Sequence, residues 1–311
     1  AWHPDGAQIA FIAWDHPHMP WDGTWLYLAR LVQSSGGANL EASDVVAGGD
    51  EISIYQPEFS PDGCSLAYVS DETGWWQLYL YDLESKKHRQ LTTEAAEHGQ
   101  ASWSQGLRSY GFSPDGQVIY FIRSQNGVES LWQLTLESGQ ETRIELDMPY
   151  QSLVQPSVSP DGSRLALIAS AADIPVRLIT VDLQGKSHIL KRTTAEELDP
   201  QEYSVPVPIT WQGMDNEPVH GLFYPPRNPC YQGIGLPPLV VYVHGGPTGQ
   251  RTASFSPSTQ FFTSRGYAVL EVNYRGSTGY GRVYRNKLRL NWGVYDVQDC
   301  VSGSRYLVEQ G

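Results

Sequence analysis

Over the first two hundred residues, short apolar runs alternate with polar loops. "QIAFIAW" (8–14), "SLAYVS" (65–70), "VIYFIRS" (118–124) and "RLALIAS" (164–170) are each followed, after a loop, by a second run. The second runs are "WLYLARL", "QLYLYDL", "LWQLTLE" and "VRLITVDL". In "QLYLYDL", Leu78 and Leu80 alternate with Tyr79 and Tyr81, the period of two that sends neighbours to opposite faces of a strand. The pattern predicts four strand pairs.

Each first run is preceded by the same turn: "WHPDG" at 2–6, "FSPDG" at 59–63, "FSPDG" at 112–116 and "VSPDG" at 158–162. Ser-Pro-Asp-Gly suits a type I turn, with Ser first, Pro fixing φ at the second position and Gly fourth. The glycines are 57, 53 and 46 residues apart. A strand-rich unit recurring at about this period is a propeller blade. Chance hairpins in a sandwich would not repeat one turn with one sequel. The WD type does not fit, because Trp14-Asp15 and Trp21-Asp22 lack a Gly-His partner. Closed propellers have about 4–8 blades, so further blades are expected before Ala1.

After about Val205 the rhythm changes. A hairpin is expected with strands near 207–212 and 218–224, ended by Pro225, Pro226 and Pro229. "LVVYV" (239–243) is apolar on both parities, as in a strand covered on both faces. "SPSTQFFTSRG" (256–266) has a helix start at Ser256-Pro257 and a stop at Gly266, and "YAVLEVNY" (267–274) is the next strand. Strand, helix, strand implies a right-handed crossover and a parallel pair. In a final helix Val297, Cys300, Val301, Ser304, Leu307 and Val308 share a face, with Asp296 and Asp299 in a first turn whose dipole favours them. Gly311 is a plausible stop, and another buried strand is expected after it. The reading is a partial β-propeller of four-stranded antiparallel blades over 1–203, then a partial α/β-hydrolase domain with a mostly parallel sheet over 204–311.

Composition narrows the function classes. The 311 residues are 40% hydrophobic and 18% charged, a globular composition. With 21 Lys and Arg against 34 Asp and Glu the formal charge is −13, which disfavours nucleic acid and anionic membranes as partners. No apolar run reaches the ~20 residues a bilayer needs. Cys64, Cys230 and Cys300 are scattered, with neither metal spacing nor an even disulfide framework, so a reducing, cytoplasmic location is expected. No cofactor is called for, and oligomeric state is left open.

The chemistry gathers in "VVYVHGGP" (240–247), a buried strand that ends in bare backbone. Glycine after such a strand lets a substrate carbonyl reach a main-chain amide. A tight strand-to-helix turn explains "HGG" alone equally well. "NYRGSTGYGR" (273–282) follows the next strand, at the carboxyl end where open α/β sheets place their sites. Arg275, Arg282 and Arg285 suit either a substrate carboxylate or ion pairs that orient the loop. Neither glycine-rich stretch fits a phosphate-binding spacing.

"VYVHGGP", "NYRGSTGYGR" and "NWGVYDVQDC" (291–300), in this order, resemble the first half of the catalytic domain of the prolyl oligopeptidase family, in its acylaminoacyl-peptidase and dipeptidyl-peptidase-like branch. "WDHPHMPWDGTWL" (14–26) is similar to a propeller segment of that branch. The resemblance implies a β-propeller before an α/β-hydrolase domain, and a Ser-Asp-His triad that cleaves short peptides through an acyl-enzyme. It makes Gly246 the backbone oxyanion donor, with Gly245 and His244 beside it, and Arg275 and Tyr274 candidates for substrate binding. His244 stands where some relatives carry an oxyanion-binding tyrosine. The nucleophile elbow and the triad Asp and His are expected C-terminal of Gly311. No Ser in the chain sits in G-x-S-x-G, Ser277 included, so this chain by itself is expected to be inactive.

Other clusters carry weaker signals. Asp15, His16, His18 and Asp22 read as a hydrogen-bonded loop more than a metal site. Trp75 and Trp76 read as packing between blades more than as a propeller mouth. Glu196, Glu197, Asp199 and Glu202 read as a solvated linker. His98, His188 and His220 have no assigned role. Two rival functions stay open: an α/β-hydrolase esterase, and a non-enzymatic propeller that binds a protein or peptide.

Overall fold

The computed structural model describes residues 1–34, 37–194, 199–246 and 248–311. Glu196, Glu197 and Pro247 lie outside the described residues. Packing divides the chain into two compact units, residues 1–123, 131–144 and 154–166 in one, and 124–130, 145–153 and 167–311 in the other.

The first strands, β1 (Gln8–Ala13), β2 (Thr24–Ser34) and β3 (Gly37–Gly49), form a three-stranded antiparallel sheet. Three four-stranded sheets follow, each in chain order. They are β4 (Ile54–Phe59), β5 (Ser65–Ser70), β6 (Gln77–Asp82) and β7 (His88–Gln90); β8 (Tyr110–Phe112), β9 (Val118–Gln125), β10 (Val128–Thr135) and β11 (Glu141–Arg143); and β12 (Ser152–Val158), β13 (Arg164–Ala171), β14 (Ile174–Asp182) and β15 (Ser187–Arg192). The last strands of the first two sets, "HRQ" and "ETR", left no apolar trace, and that of the third, "SHILKR", has only the pair Ile189-Leu190. In β7 all three residues are exposed, and an exposed edge needs no hydrophobic side chains.

The Pro-Asp-Gly turns are built alike. In three of them the Ser hydroxyl donates to the Asp carboxylate, at 2.6, 2.5 and 2.6 Å for Ser60–Asp62, Ser113–Asp115 and Ser159–Asp161. The same carboxylate accepts the N–H two residues on, from Cys64, Gln117 and Ser163. In the first turn His3 replaces Ser, and Asp5 accepts from Ala7. The four glycines have φ between 70° and 73°, left-handed backbone that a side chain would strain. Trp76 is buried among Tyr55, Leu78, Tyr110 and Phe121, in the packing role. Among the described residues no three metal-ligating side chains gather, and His18 lies 3.6 Å from Asp50.

The last third folds as expected at its start. β16 (Val207–Gln212) and β17 (Pro218–Tyr224) form the hairpin, and β18 (Leu239–Val243), α1 (Pro257–Thr263) and β19 (Ala268–Asn273) form the crossover. Ser256 caps α1 by accepting the Thr259 N–H. The sheet order is β16-β17-β19-β18. Only β18–β19 is parallel, because the hairpin docks antiparallel onto β19, so the sheet is mixed rather than mostly parallel. Val269 faces a cluster with Leu222, Tyr224 and Ala253, and Leu270 and Val272 face one with Trp211, Val219 and Tyr274.

After α2 (Gly281–Asn286) comes α3 (Tyr295–Gln310), and here the expected face is turned. Asp299, Ser302 and Gly303 are buried, whereas Val297 and Val308 are 55% and 70% exposed. A Cβ on Gly303 would lie 2.7 Å from Trp211 Cζ2, so glycine lets the helix lie against that ring. Ser302 accepts the Trp211 indole N–H at 2.9 Å. No helix is long and apolar enough to cross a membrane, among the described residues.

Candidate functional site

The site is made of two loops that leave the carboxyl ends of neighbouring parallel strands. β18 ends at Val243, and its chain leaves the sheet at His244; β19 ends at Asn273 and leads into the second glycine-rich loop.

His244 stacks on the Tyr274 ring, with centroids 4.5 Å apart and 15° between planes. Its Nε2 is 2.7 Å from Ser277 Oγ, which is also 2.7 Å from the Tyr274 carbonyl. A carbonyl can only accept, and Ser277 has one proton. His244 Nδ1 also lies 3.3 Å from the Gly245 carbonyl, so a neutral ring donates either from Nε2 to Ser277, which then donates to Tyr274, or from Nδ1 to Gly245, with Ser277 donating to Nε2. Burial lowers the His244 pKa and keeps the ring neutral. Tyr274 returns a bond from its hydroxyl to the His244 carbonyl, 3.2 Å. The Ser277 hydroxyl is thus buried and committed, the opposite of an exposed nucleophile.

Gly245 and Gly246 follow, both exposed. Among the described residues nothing accepts their N–H groups, and nothing stands within 4 Å of a Cβ built on either. Gly246 has φ 64°, which itself favours glycine, but Gly245 does not have positive φ. The described fold therefore gives no reason for glycine at 245.

The far end of the loop is also tied to the second one. Arg251 donates its N–H to Asn273 Oδ1 at 2.6 Å and accepts from Asn273 Nδ2 at 3.0 Å. Thr278 N–H donates to the Gly249 carbonyl at 2.9 Å. Gly279, with φ 91°, leaves room for Gln250, whose Oε1 would meet a Cβ at 1.8 Å. The residues of "GSTGYG" therefore serve the packing of loop on loop.

What holds the second loop is Arg275, only 1% exposed. Its N–H donates to Asp299 Oδ2 at 2.8 Å, and its Nε and Nη2 lie 3.0 and 2.6 Å from Asp299 Oδ1. Nη1 binds Asp215, in the β16–β17 turn. The Tyr295 ring lies 4.0 Å from the guanidinium carbon. These carboxylates hold Arg275 charged and push its pKa up, outweighing burial, which acts the other way. Tyr274 is buried against the sheet; Arg285 is buried on α2 and Arg282 half-buried. His220 lies opposite Asn273 across β17 and β19 and stacks at 4.2 Å on Tyr280, whose hydroxyl accepts from Asn273 Nδ2.

The residues that complete this assembly were not signalled by sequence. Asp299 looked like a solvated first-turn carboxylate, and Asn273 like the end of a strand. The available traces were their places in "NYRGSTGYGR" and "NWGVYDVQDC", which begin at Asn273 and include Asp299.

Comparison with known proteins gives the following. The family model described as the TolB beta propeller domain matches residues 1–201, and that of the prolyl oligopeptidase family matches residues 253–311. The uncharacterized peptidase YuxL of Bacillus subtilis is 26% identical over 231 residues, 72% of this chain and 34% of that protein. Dipeptidyl-peptidase 5 of Aspergillus fumigatus is 26% identical over 325 residues, 98% of this chain and 43% of that protein. The structure of a Mycobacterium tuberculosis puromycin-hydrolyzing peptidase is 35% identical, with a TM-score of 0.92 over all of this chain and 47% of that one. The acylaminoacyl peptidase of Pyrococcus horikoshii, 19% identical with a TM-score of 0.67 over all of this chain and 45% of that one, shares the fold. The chain spans less than half the length of these relatives.

Proposed function

The chain belongs to the prolyl oligopeptidase family, with a TolB-type propeller domain over residues 1–201, and from that premise we propose that the complete protein is a serine peptidase acting on short peptides. The observation that carries the reading is the glycine at 245 that the described fold does not require, beside the unaccepted amides of Gly245 and Gly246. Bare amides at the end of a strand are what a developing oxyanion needs.

In this reading the serine hydroxyl, supplied from sequence beyond Gly311, attacks the scissile carbonyl. The carbonyl oxygen becomes an anion and is held by the Gly246 N–H, with Gly245 beside it. The amine leaves with a proton, and water then releases the acyl group. His244 acts through the fold: its neutral ring ties the loop to Ser277. Arg275 and Tyr274, the two substrate-binding candidates, act as supports of the loops. The division of the chain falls at 203/204, and this chain alone does not turn over substrate. The free thiols of Cys64 and Cys230, both exposed, support a cytoplasmic location.

The test is expression of the complete protein beside the 311-residue chain. Both are assayed with a short peptide anilide, a matched ester, puromycin and a serine-directed fluorophosphonate probe. Amide hydrolysis and labelling of the complete protein alone is the expected result. Ester turnover without amide turnover would replace the peptidase by an esterase. No turnover and no labelling would leave the propeller as a binding module.

A further inference from the structure

The unabsorbed feature of the site is Arg251. Its backbone is held from two sides. Asn273 takes both its N–H and its carbonyl, and two residues on, Ala253 N–H donates to the Gly127 carbonyl at 2.8 Å. Gly127 has φ 75° and lies so close that a Cβ would stand 3.1 Å from the Arg251 carbonyl. The origin of the side chain is therefore fixed.

Its guanidinium is not neutralised. Arg275, Arg123 and Arg108 each bind a carboxylate. Among the described residues no carboxylate lies within ion-pair distance of Arg251, and its Nε is buried without a hydrogen-bond partner. The nearest ring is Tyr242, 6.0 Å from its centroid, on the strand that feeds the oxyanion loop. The neighbouring Gln250 Oε1 is also buried and unpartnered. A buried donor without an acceptor is costly, so the unpartnered Arg251 Nε marks a guanidinium whose bonding a ligand can complete. The charge of Arg251 acts on His244 at the head of the loop and also on Glu271 and Tyr224 in the sheet, where buried Glu271 is bonded to Thr259 rather than to Arg251.

We propose that Arg251 is the specificity residue that binds a carboxylate of the peptide substrate. The proposal rests on the peptidase reading of residues 244–246 and goes beyond it. Oxyanion amides and a fixed cation on one short loop would set the scissile bond at a fixed distance from that carboxylate. Peptides ending in a free carboxylate are then preferred over their amides. An acidic side chain near the C-terminus is the other source of the same group.

The test uses the complete protein, wild type, R251Q and R251K, with tripeptides labelled at the N-terminus with fluorescein. Three forms are compared by anisotropy: the free acid, the C-terminal amide, and an amide with aspartate as last residue. Wild type is expected to bind at least one carboxylate-bearing form about tenfold more tightly than the plain amide, as for a charge-assisted hydrogen bond. The ratio is expected to collapse toward one in R251Q and to survive in part in R251K. The acid and the aspartyl amide tell the two sources apart. Equal binding of all three by wild type, or a ratio unchanged in R251Q, overturns the proposal. Hydrolysis is followed separately. Arg251-dependent binding without cleavage would sink the peptidase reading and leave Arg251 as the carboxylate-binding residue of a non-enzymatic site.

Discussion

Asp299, fully buried on α3, accepts both the backbone N–H and the side chain of Arg275, 24 residues earlier in the chain. One carboxylate thus fixes the conformation of the second loop at its root, and that loop binds the first at His244, Gly249 and Arg251.

Breaking this pair leaves a buried charge uncompensated. Asp299→Asn is expected to destabilise the fold by about 3–5 kcal/mol, and Arg275→Lys does not rescue the forked contacts. Denaturant unfolding of both variants checks this. A loss below about 1 kcal/mol would show that Asp215 alone suffices.

Ser277→Ala separates a supporting hydroxyl from a nucleophile. The bond it loses is worth about 1 kcal/mol. Hydrolysis by the complete protein is expected to fall by less than about tenfold, as for one lost hydrogen bond. A loss of several orders of magnitude in kcat would make Ser277 the nucleophile and overturn the assignment of that role to later sequence.

Gly245→Ala should dissociate stability from activity. No described atom lies within 4 Å of the new methyl group, so stability is expected to stay within about 0.5 kcal/mol. If the new methyl group keeps the substrate carbonyl from the Gly245 and Gly246 amides, kcat of the complete protein is expected to drop by up to about 10²–10³-fold, as for one lost oxyanion donor. Unchanged kcat would remove Gly245 from the site.

His98 gives a pH prediction. Its Nε2 accepts from Arg123 Nε at 3.1 Å, so its Nδ1–H donates to the Trp76 carbonyl, also 3.1 Å. Burial first, and then the Arg123 charge, pushes its pKa down to about 3. The unfolded chain titrates near the ordinary value of 6.5. Above that pH both states are neutral and the contribution to stability is whole. As pH falls from 6.5 toward 3, only the unfolded chain takes up the proton, and stability is lost. Thermal midpoints at pH 7.5 and 5 should fall more steeply for wild type than for His98→Gln, and equal slopes would rule the effect out.

The sequence by itself determined the local elements. The four Pro-Asp-Gly turns, the 207–224 hairpin and strand 239–243 follow from φ preferences, i-to-i+2 side-chain bonds and period-two patterning, all written within a few residues. The amides of Gly245 and Gly246 were singled out by the resemblance of "VYVHGGP" to the family, since "HGG" alone fits a tight turn equally well. Only the tertiary structure decided which face of α3 is buried, because Asp299 counts as polar until Arg275 is brought to it. It alone joined Ser277 to His244 and Asn273 to Arg251, and among the described residues left Arg251 without an ion-paired carboxylate. Such pairings depend on sheet order and helix rotation, and nothing in their own neighbourhoods in the chain encodes the partner.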